Sequence, residues 1–335
     1  MANLIRVAVD AMGGDNAPDE IVKGAVMAVK ESPDVSCILV GIQEKIQEVL
    51  EPLGEDSGRL SIVDAREVIE TGEPPVMAIR NKKDSSLVKA MYMLKEGKAD
   101  AFVSAGSTGA ILVGGQVIVG RIRGVDRAPL APLIPTEKGA SLLIDCGANV
   151  DARAAQLLQF AKIGSVYMEN IMQKKNPRVA LVNIGAEEEK GNALVRDTFP
   201  LLKNCPDIHF VGNIEARDIP AGEADVIVCE AFTGNVILKM YEGVASSMMR
   251  IIKDGMMSSL RGKIGGALVK PALKAALADY DMDRYGGAPM LGLNGLVVKA
   301  HGSANAQTFK NAIQQCIAFG AMDVGDKIRA KLSDV

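Results

Sequence analysis

Short runs rich in Val, Ile and Leu alternate along the chain with longer stretches in which apolar residues recur every three or four positions. The short runs fall at 5–10, 37–41, 60–63, 101–104, 141–145, 179–184, 209–211, 225–229 and 296–299. Runs of this length predict strands, and most are apolar at consecutive positions, as strands covered on both faces are. The longer stretches, at 18–30, 85–96, 154–173, 192–202 and 233–253, predict helices with one apolar face. Pro18 suits the first turn of its helix, where a missing N–H costs no hydrogen bond. Strand and helix alternating at this spacing predict an α/β fold with a mostly parallel sheet flanked by helices. No internal repeat or low-complexity linker interrupts the pattern. The expectation is one α/β unit over 1–335, whose lobes would meet at a cleft, with a weak boundary across the prolines of 121–135.

Composition narrows the function classes. The chain has 335 residues, 48% hydrophobic and 24% charged, so it is globular rather than disordered. A net charge of −3 gives no general attraction for nucleic acid, and with no Trp and 4% aromatics no nucleic-acid partner is expected. Cys37, Cys146, Cys205, Cys229 and Cys316 are widely spaced with no C-x-x-C pair, which points to a reducing compartment and away from a zinc or disulfide framework. His209 and His301 are the only histidines, so no metal site is expected. His209 opens a strand read as buried and is taken as structural. The start, Met1-Ala-Asn-Leu-Ile-Arg6, lacks the apolar core of a signal peptide. Residues 101–120 carry no charge, yet their five glycines with Ser104, Ser107, Thr108 and Gln116 read as strand, turn and helix rather than a membrane span. A cytoplasmic protein is expected.

Ligands of open α/β sheets sit in the loops that leave the carboxyl ends of strands, and five such loops here are distinctive. Asp10-Ala-Met-Gly13-Gly14-Asp15-Asn16 offers a flexible backbone before a helix start, with Asp15 or Asn16 as a plain helix cap in the alternative. Ser104-Ala-Gly-Ser107-Thr108-Gly109 places hydroxyls and glycines at another helix start, suited to an anion or a carbonyl oxygen. Glu187-Glu-Glu-Lys190-Gly-Asn192 reads as acidic surface, except that Lys190 can act as a point charge for phosphate. Thr233-Gly234-Asn235 follows an apolar strand, with Lys239 one turn on; helix capping is the competing reading. In Lys299-Ala-His301-Gly302-Ser303 the histidine is placed for anion binding or acid–base work. There is no strand-to-helix G-x-G-x-x-G, no P-loop and no G-x-S-x-G, which weakens dinucleotide, P-loop and serine-hydrolase readings. Together the loops point to a phosphate-like ligand in a cleft.

A basic segment at about 250–278 stands apart. Arg250, Lys253, Arg261, Lys263, Lys270 and Lys274 face one acid, Asp254, while Met256, Met257, Leu260, Ile264 and Leu268 recur at helical spacing. Gly265-Gly266 and Pro271 are expected to interrupt the helix. Such a segment suits an anionic membrane surface or an acidic partner; a dimer-interface or core helix pair is the alternative.

The chain resembles the bacterial phosphate acyltransferases of phospholipid synthesis, the acyl-ACP:phosphate transacylase family. The resemblance is carried by Val7-Ala-Val-Asp-Ala-Met-Gly-Gly-Asp15-Asn-Ala-Pro18, Ser104-Ala-Gly-Ser-Thr-Gly-Ala110, Lys190-Gly-Asn192, Phe232-Thr-Gly-Asn235, Tyr285-Gly-Gly287 with Leu291-Gly-Leu293, and Lys299-Ala-His-Gly-Ser303. It implies transfer of a long-chain acyl group from acyl carrier protein to inorganic phosphate, giving acyl phosphate, without a cofactor. It also implies a fold similar to isocitrate and isopropylmalate dehydrogenases and to phosphotransacetylase, as a homodimer. On this reading Lys190, His301 and Asn235 form the catalytic set. Phosphate and substrate would be held by Asp10, Gly13, Gly14, Asp15, Ser107, Thr108, Gly109, Asn192, Thr233, Gly234, Lys239, Gly302 and Ser303, with Thr233 and Asn235 donating to the carbonyl oxygen. An acidic carrier calls for a basic patch; Arg121, Arg123 and Arg127 cluster, as do Lys82 and Lys83, though each cluster alone reads as solvated surface. The competing functions are acyl transfer from acyl-CoA, a decarboxylating dehydrogenase, and a membrane-associated scaffold.

Overall fold

A computed structural model describes residues 4–54, 57–277, 280 and 282–333. Residues 1–3, from the start of the chain, and residue 278, the last of the basic segment, lie outside the described residues. The chain opens with β1 (Ile5–Asp10), α1 (Asp19–Glu31), β2 (Val35–Gly41), α2 (Gln43–Leu50) and β3 (Leu60–Asp64). It continues through α3 (Pro75–Asn81), α4 (Ser86–Lys95), β4 (Ala101–Ser104) and α5 (Thr108–Gly114). Next come β5 (Leu133–Thr136), β6 (Gly139–Ile144), α6 (Ala154–Asn170), β7 (Arg178–Asn183), α7 (Ala193–Lys203), β8 (His209–Glu215) and β9 (Val226–Val228). The last part holds α8 (Ala231–Met257), α9 (Leu260–Leu277), β10 (Gly287–Met290), β11 (Leu296–Ala300), α10 (Ala306–Ala321) and α11 (Val324–Ser333).

The strands form two sheets, in the orders β10-β11-β4-β1-β2-β3 and β5-β6-β9-β7-β8. Every pairing is parallel except β10 with β11 and β5 with β6. The fold is therefore mixed α/β with mostly parallel sheets flanked by helices, as the alternation of the sequence implies. Consecutive apolar residues in β1 feed opposite sides: Val7 and Val9 pack with Phe309 and Ile313 of α10, while Ala8 joins Phe102, Met91 and Val297. In β6, Leu142 and Ile144 face Phe160 and Tyr167, whereas Leu143 faces Ile227 and Val182. Burial on both faces is what the unbroken apolar runs record.

Each of the nine runs read as strands overlaps a strand; six lie wholly within one, and 141–145, 179–184 and 225–229 extend one residue past an end, the last at both ends. The two strands the pattern did not predict, β5 and β10, are antiparallel edges, and each contains a proline, Pro135 and Pro289. Proline has no N–H for a ladder and is confined to edges, so a short proline-bearing run reads as loop. Two local expectations are corrected. His209 is exposed on edge strand β8, with Nδ1 3.3 Å from the Asn176 carbonyl, rather than opening a buried strand. α9 runs unbroken through Gly265, Gly266 and Pro271. No residue of α9 is buried, so water can satisfy the carbonyl that Pro271 leaves without a donor.

The chain crosses from the first sheet to the second over residues 120–132 and returns at β10. The Ile122 N–H donates to the Gly292 carbonyl at 2.9 Å, and the N–H groups of Leu291 and Ala131 donate to Pro129 and Pro289 at 3.0 Å each. α8 buries only Ala231 and Gly234. Its far half and α9 expose Met248, Met249, Ile251, Met257, Leu260, Ile264 and Leu268. Among the described residues no helix is long and apolar enough to cross a membrane.

α1 and α10 close over the first sheet at Gly24. A Cβ there would lie 2.8 Å from the Ala306 carbonyl oxygen and 3.0 Å from Phe309 Cβ, so the helices meet backbone to side chain. Gly24→Val should destabilise the protein by about 1–3 kcal/mol through overpacking. Gly255 in α8 has open space around it, and Gly255→Ala should stabilise by up to ~1 kcal/mol through helix propensity. Urea unfolding midpoints that move in opposite directions for the two variants are the expected result.

Candidate active site

Because β11, β4 and β1 are neighbours in one sheet, the loops leaving their carboxyl ends lie side by side. Asp10, the last residue of β1, is buried and accepts the Ser104 hydroxyl at 2.6 Å; the same hydroxyl oxygen accepts the Gly106 N–H at 2.9 Å. Gly13 folds over this pair: a Cβ would sit 2.4 Å from Asp10 Oδ2 and 2.8 Å from the Gly106 nitrogen. Gly14 has φ +110°, and a Cβ would meet Ala105 Cβ at 2.9 Å and the Gly302 carbonyl oxygen at 3.1 Å. The Asp15 N–H donates to the Gly302 carbonyl at 2.8 Å, and Asn16 Nδ2 donates to those of Ser303 and Ala304 at 3.2 and 3.3 Å. The first loop is thus clamped between the other two. Burial raises Asp10 above the usual carboxylate range, against the lowering effect of the Ser104 hydrogen bond and of nearby Lys299.

Lys299 is the group that the sequence reading left out of its site. It stands in β11 between Val298 and Ala300, half-buried, and its ammonium donates to the Ala300 carbonyl. Burial, with repulsion from Lys239 of α8, pushes it down to about 8, while Asp15 and Asp10 oppose that shift. Lys239 comes from the helix that follows the second sheet and pairs with Glu242 at 2.7 Å. The two ammonium groups therefore mark where elements of both sheets converge. The signal was present in the sequence: a lysine inside a strand otherwise apolar at every position needs a reason to be there.

His301 is exposed just beyond. Its Nδ1 lies 2.8 Å from Ser303 Oγ and 3.3 Å from the Ser303 nitrogen, whose N–H can only donate. Nδ1 is thus the acceptor, and the proton of the neutral ring lies on Nε2. Gly302 sits against Asp15, 3.6 Å from its Oδ2 by a Cβ built there. At the start of α5, Ser107 Oγ accepts the Ala110 N–H at 3.4 Å as a helix cap, and Thr108 is exposed. Gly109 has a packing reason as well, since a Cβ would lie 2.5 Å from Pro75 Cγ of α3.

The second sheet places its residues differently. Lys190, exposed after β7, pairs with Glu187 at 2.8 Å, and that hydrogen bond raises its pKa, with Glu215 and Glu189 adding to the effect. Those charged neighbours all belong to the second sheet. Asn192 Oδ1 accepts the Val195 N–H at 2.9 Å and caps α7. The Thr233 N–H donates to the Glu230 carboxylate at 2.7 Å and its hydroxyl donates to the same group, so Thr233 serves the cap of α8. Asn235 is exposed on the first turn of that helix. Gly234 lies against the chain after β6, where a Cβ would fall 1.9 Å from the Asp145 carbonyl oxygen. Asp145 itself is buried, and its carboxylate accepts the N–H groups of Leu130, Ala148 and Asn149 at 2.9, 3.3 and 2.9 Å and Asn149 Nδ2 at 2.7 Å. Asp145 and Glu230, both absent from the sequence-derived set, hold the first turn of α8 in place.

Of the residues chosen from sequence, Asp10, Gly13, Gly14, Asp15, Gly302 and Ser303 form one interlocked surface beside His301 and the Lys239–Lys299 pair. Ser107, Thr108 and Gly109 open the helix that leaves the middle loop. Lys190, Asn192, Thr233, Gly234 and Asn235 stand on the second sheet's loops. Among the described residues no group of three or more His, Cys, Asp or Glu side chains is placed to hold a metal ion. Backbone amides, two ammonium groups and an imidazole N–H suit a small anion next to a polarised carbonyl.

The profile of a family described as fatty acid synthesis protein matches residues 5–327. A phosphate acyltransferase of Clostridium novyi (strain NT) is 49% identical over 328 residues, covering 98% of this chain and 98% of its own. Another, of Clostridium tetani (strain Massachusetts / E88), is 48% identical over 331 residues, covering 99% of each. Among solved structures, a phosphotransacetylase from Streptococcus pyogenes superposes with a TM-score of 0.62 at 18% identity, covering 95% of this chain and 94% of that one, and so shares the fold. The chain belongs to the fatty acid synthesis protein family of phosphate acyltransferases, and it is an acyltransferase enzyme.

Proposed function

We propose that this acyltransferase moves a long-chain acyl group from acyl carrier protein to inorganic phosphate, releasing free carrier and an acyl phosphate for phospholipid synthesis. The observation that carries the reading is Lys299, a cation held at the end of an apolar strand, facing Lys239 beside the clamped glycine loop. A desolvated cation is costly without an anion, and a phosphate dianion between the two ammonium groups supplies one. Asp10 is buried, and its carboxyl is turned to the Ser104 hydroxyl at 2.6 Å. A phosphate oxygen attacks the thioester carbon, the C–O bond forms, and the C–S bond breaks to release the carrier thiolate. The tetrahedral oxyanion lies within the reach of donors: His301 Nε2–H, the first amides of α5 at Ser107–Gly109, and Asn235. Lys190 exchanges Glu187 for phosphate, and Asn192 keeps its Nδ2 donors free for the same ligand. Holding nucleophile and thioester together lowers the barrier by ~7–11 kcal/mol in favourable cases. Each oxyanion donor adds ~2.7–4 kcal/mol.

The exposed apolar and basic faces of α8 and α9 support a peripheral contact with an anionic membrane and pairing into a homodimer. A second reading, transfer from acyl-CoA, draws support from the fold shared with a phosphotransacetylase. The two readings differ only in the thiol that leaves.

Purified protein given palmitoyl-carrier and phosphate should form an acyl phosphate that hydroxylamine traps as the hydroxamate. Product from palmitoyl-CoA but not from the carrier would establish the second reading instead. Lys299→Met should lower turnover about 100-fold, the size of effect seen when one transition-state donor is removed. Lys299 is protonated below its pKa of about 8, so the wild-type rate should fall as pH rises through that value. Lys299→Arg, which stays charged, should carry its fall to higher pH; an alkaline limb unmoved by that change would assign the limb to another group. Leu260→Asp, Ile264→Asp and Leu268→Asp combined should abolish sedimentation with phosphatidylglycerol liposomes while leaving turnover of the soluble donor unchanged.

A further inference from the structure

The crossing between the two sheets carries an arginine cluster that the site above does not use. Arg121, Arg123, Arg127 and Arg153 are all exposed, and Arg127 and Arg153 both act on one carboxylate, Asp126. Arg153 donates to Asp126 Oδ2 at 2.6 Å, and Gln156 Nε2 donates to the same oxygen at 2.6 Å. Arg121 donates to the Asp126 backbone carbonyl, which carries no charge. Among the described residues, no ion pair joins Arg121, Arg123 or Arg127 to a carboxylate. Of the acids lining the cavity beside Ile122, Asp100 is held by Arg6 at 2.8 Å and Asp326 by Arg329, while Asp323 is exposed. Asp151, exposed two residues before Arg153, is the other acid of this stretch. The cluster is thus an excess of positive charge on a chain whose net charge is −3.

Its placement ties it to the site. The Ala128 carbonyl, next to Arg127, accepts Asn149 Nδ2 at 3.2 Å, and the Asn149 carbonyl accepts the Ala231 N–H at 3.1 Å. Two hydrogen bonds therefore link the arginine segment to the first turn of α8, which carries Thr233 and Asn235. Val117 and Val150 are exposed on either side of it, and Phe232 is exposed at the head of α8. Exposed apolar residues together with the guanidinium groups of Arg121, Arg123 and Arg127, which no ion pair occupies among the described residues, fit an acidic protein surface, with charge steering the encounter and arginines bonding carboxylates in pairs.

We infer that the Arg121–Arg123–Arg127–Arg153 surface docks the acidic carrier protein that delivers the acyl thioester. The inference rests on the carrier reading of the proposed function. Arg123→Glu with Arg127→Glu should raise KM for acyl-carrier roughly tenfold, since like charges now face the carrier. Turnover at saturation, KM for phosphate and activity on a carrier-free acyl thioester should stay at wild-type values. Added NaCl should raise KM for the carrier in the wild type and much less in the variant. The milder pair Arg123→Gln with Arg127→Gln should give an intermediate rise, and circular dichroism verifies that both variants are folded. A wild-type KM for the carrier in both variants would overturn the assignment. Loss of anionic-liposome binding with an unchanged carrier KM would overturn it too, and would make the patch a membrane contact. If the wild-type enzyme itself takes acyl groups from CoA and not from the carrier, the proposed function fails first, and that result is read before any variant is made.

Discussion

The site depends on close approach of backbone to backbone at the carboxyl ends of β1, β4 and β11. Gly13 lies on the Asp10–Ser104 hydrogen bond and Gly14 lies on the Gly302 carbonyl, at separations that leave no room for a side chain. The same closeness commits loop N–H groups within the surface, those of Met12 and Gly13 to Asp10, of Asp15 to the Gly302 carbonyl and of Gly106 to the Ser104 hydroxyl, and so fixes the loops. Loops fixed in this way need no reorganisation when charge develops on a bound group, which suits acyl transfer to an anion. It also explains why Asp10 is buried so near an expected anion site: its first task is to accept the Ser104 hydroxyl and set the angle at which two loops meet.

The architecture was legible in the sequence where burial was complete. Runs such as 7–9 and 142–144 are apolar at every position because successive residues enter different cores, and that pattern has no other ready cause. The two edge strands escaped notice because an edge tolerates proline, and proline is what makes a short run look like a loop. The site was legible only in part. Glycine-rich strand-to-helix loops identified the interlocked surface, but spacing along the chain cannot tell a helix cap from a substrate donor. Asn192 and Thr233 have oxygen or hydrogen already committed to caps at 2.9 and 2.7 Å, a fact that exists only in three dimensions. Lys299 was overlooked because it sat next to a histidine that looked more like chemistry.

Charge is handled in two ways in this molecule. Lys162 with Asp207, Lys310 with Glu31 and Arg178 with Asp225 place partly or largely covered cations against carboxylates at 2.7–3.0 Å. Each of those cations is satisfied within the fold, and each pair fastens separate elements. Lys299 differs: its ammonium donates to the Ala300 carbonyl, Lys239, itself paired with Glu242, is near enough to repel it, and its burial is only partly offset by Asp10 and Asp15. Among the described residues, a fold that pairs these other covered cations and gives Lys299 no ion pair has kept a place for negative charge to arrive from outside.

α8 is held along its first three turns, where Ile237 and Leu238 pack against the second sheet's core and the Tyr241 hydroxyl donates to the Pro135 carbonyl at 2.5 Å, and is largely exposed beyond them. Gly234 seats the first turn on the Asp145 carbonyl, and from there to Met257 the helix extends about 35 Å, with Lys239 only about 8 Å from the root. The part that projects is therefore the stretch beyond Tyr241, not the whole helix from Gly234. Lys239 lies inside the fixed stretch, so an object leaning on the far tip meets a handle whose grip on the molecule is already closed before the cleft is reached.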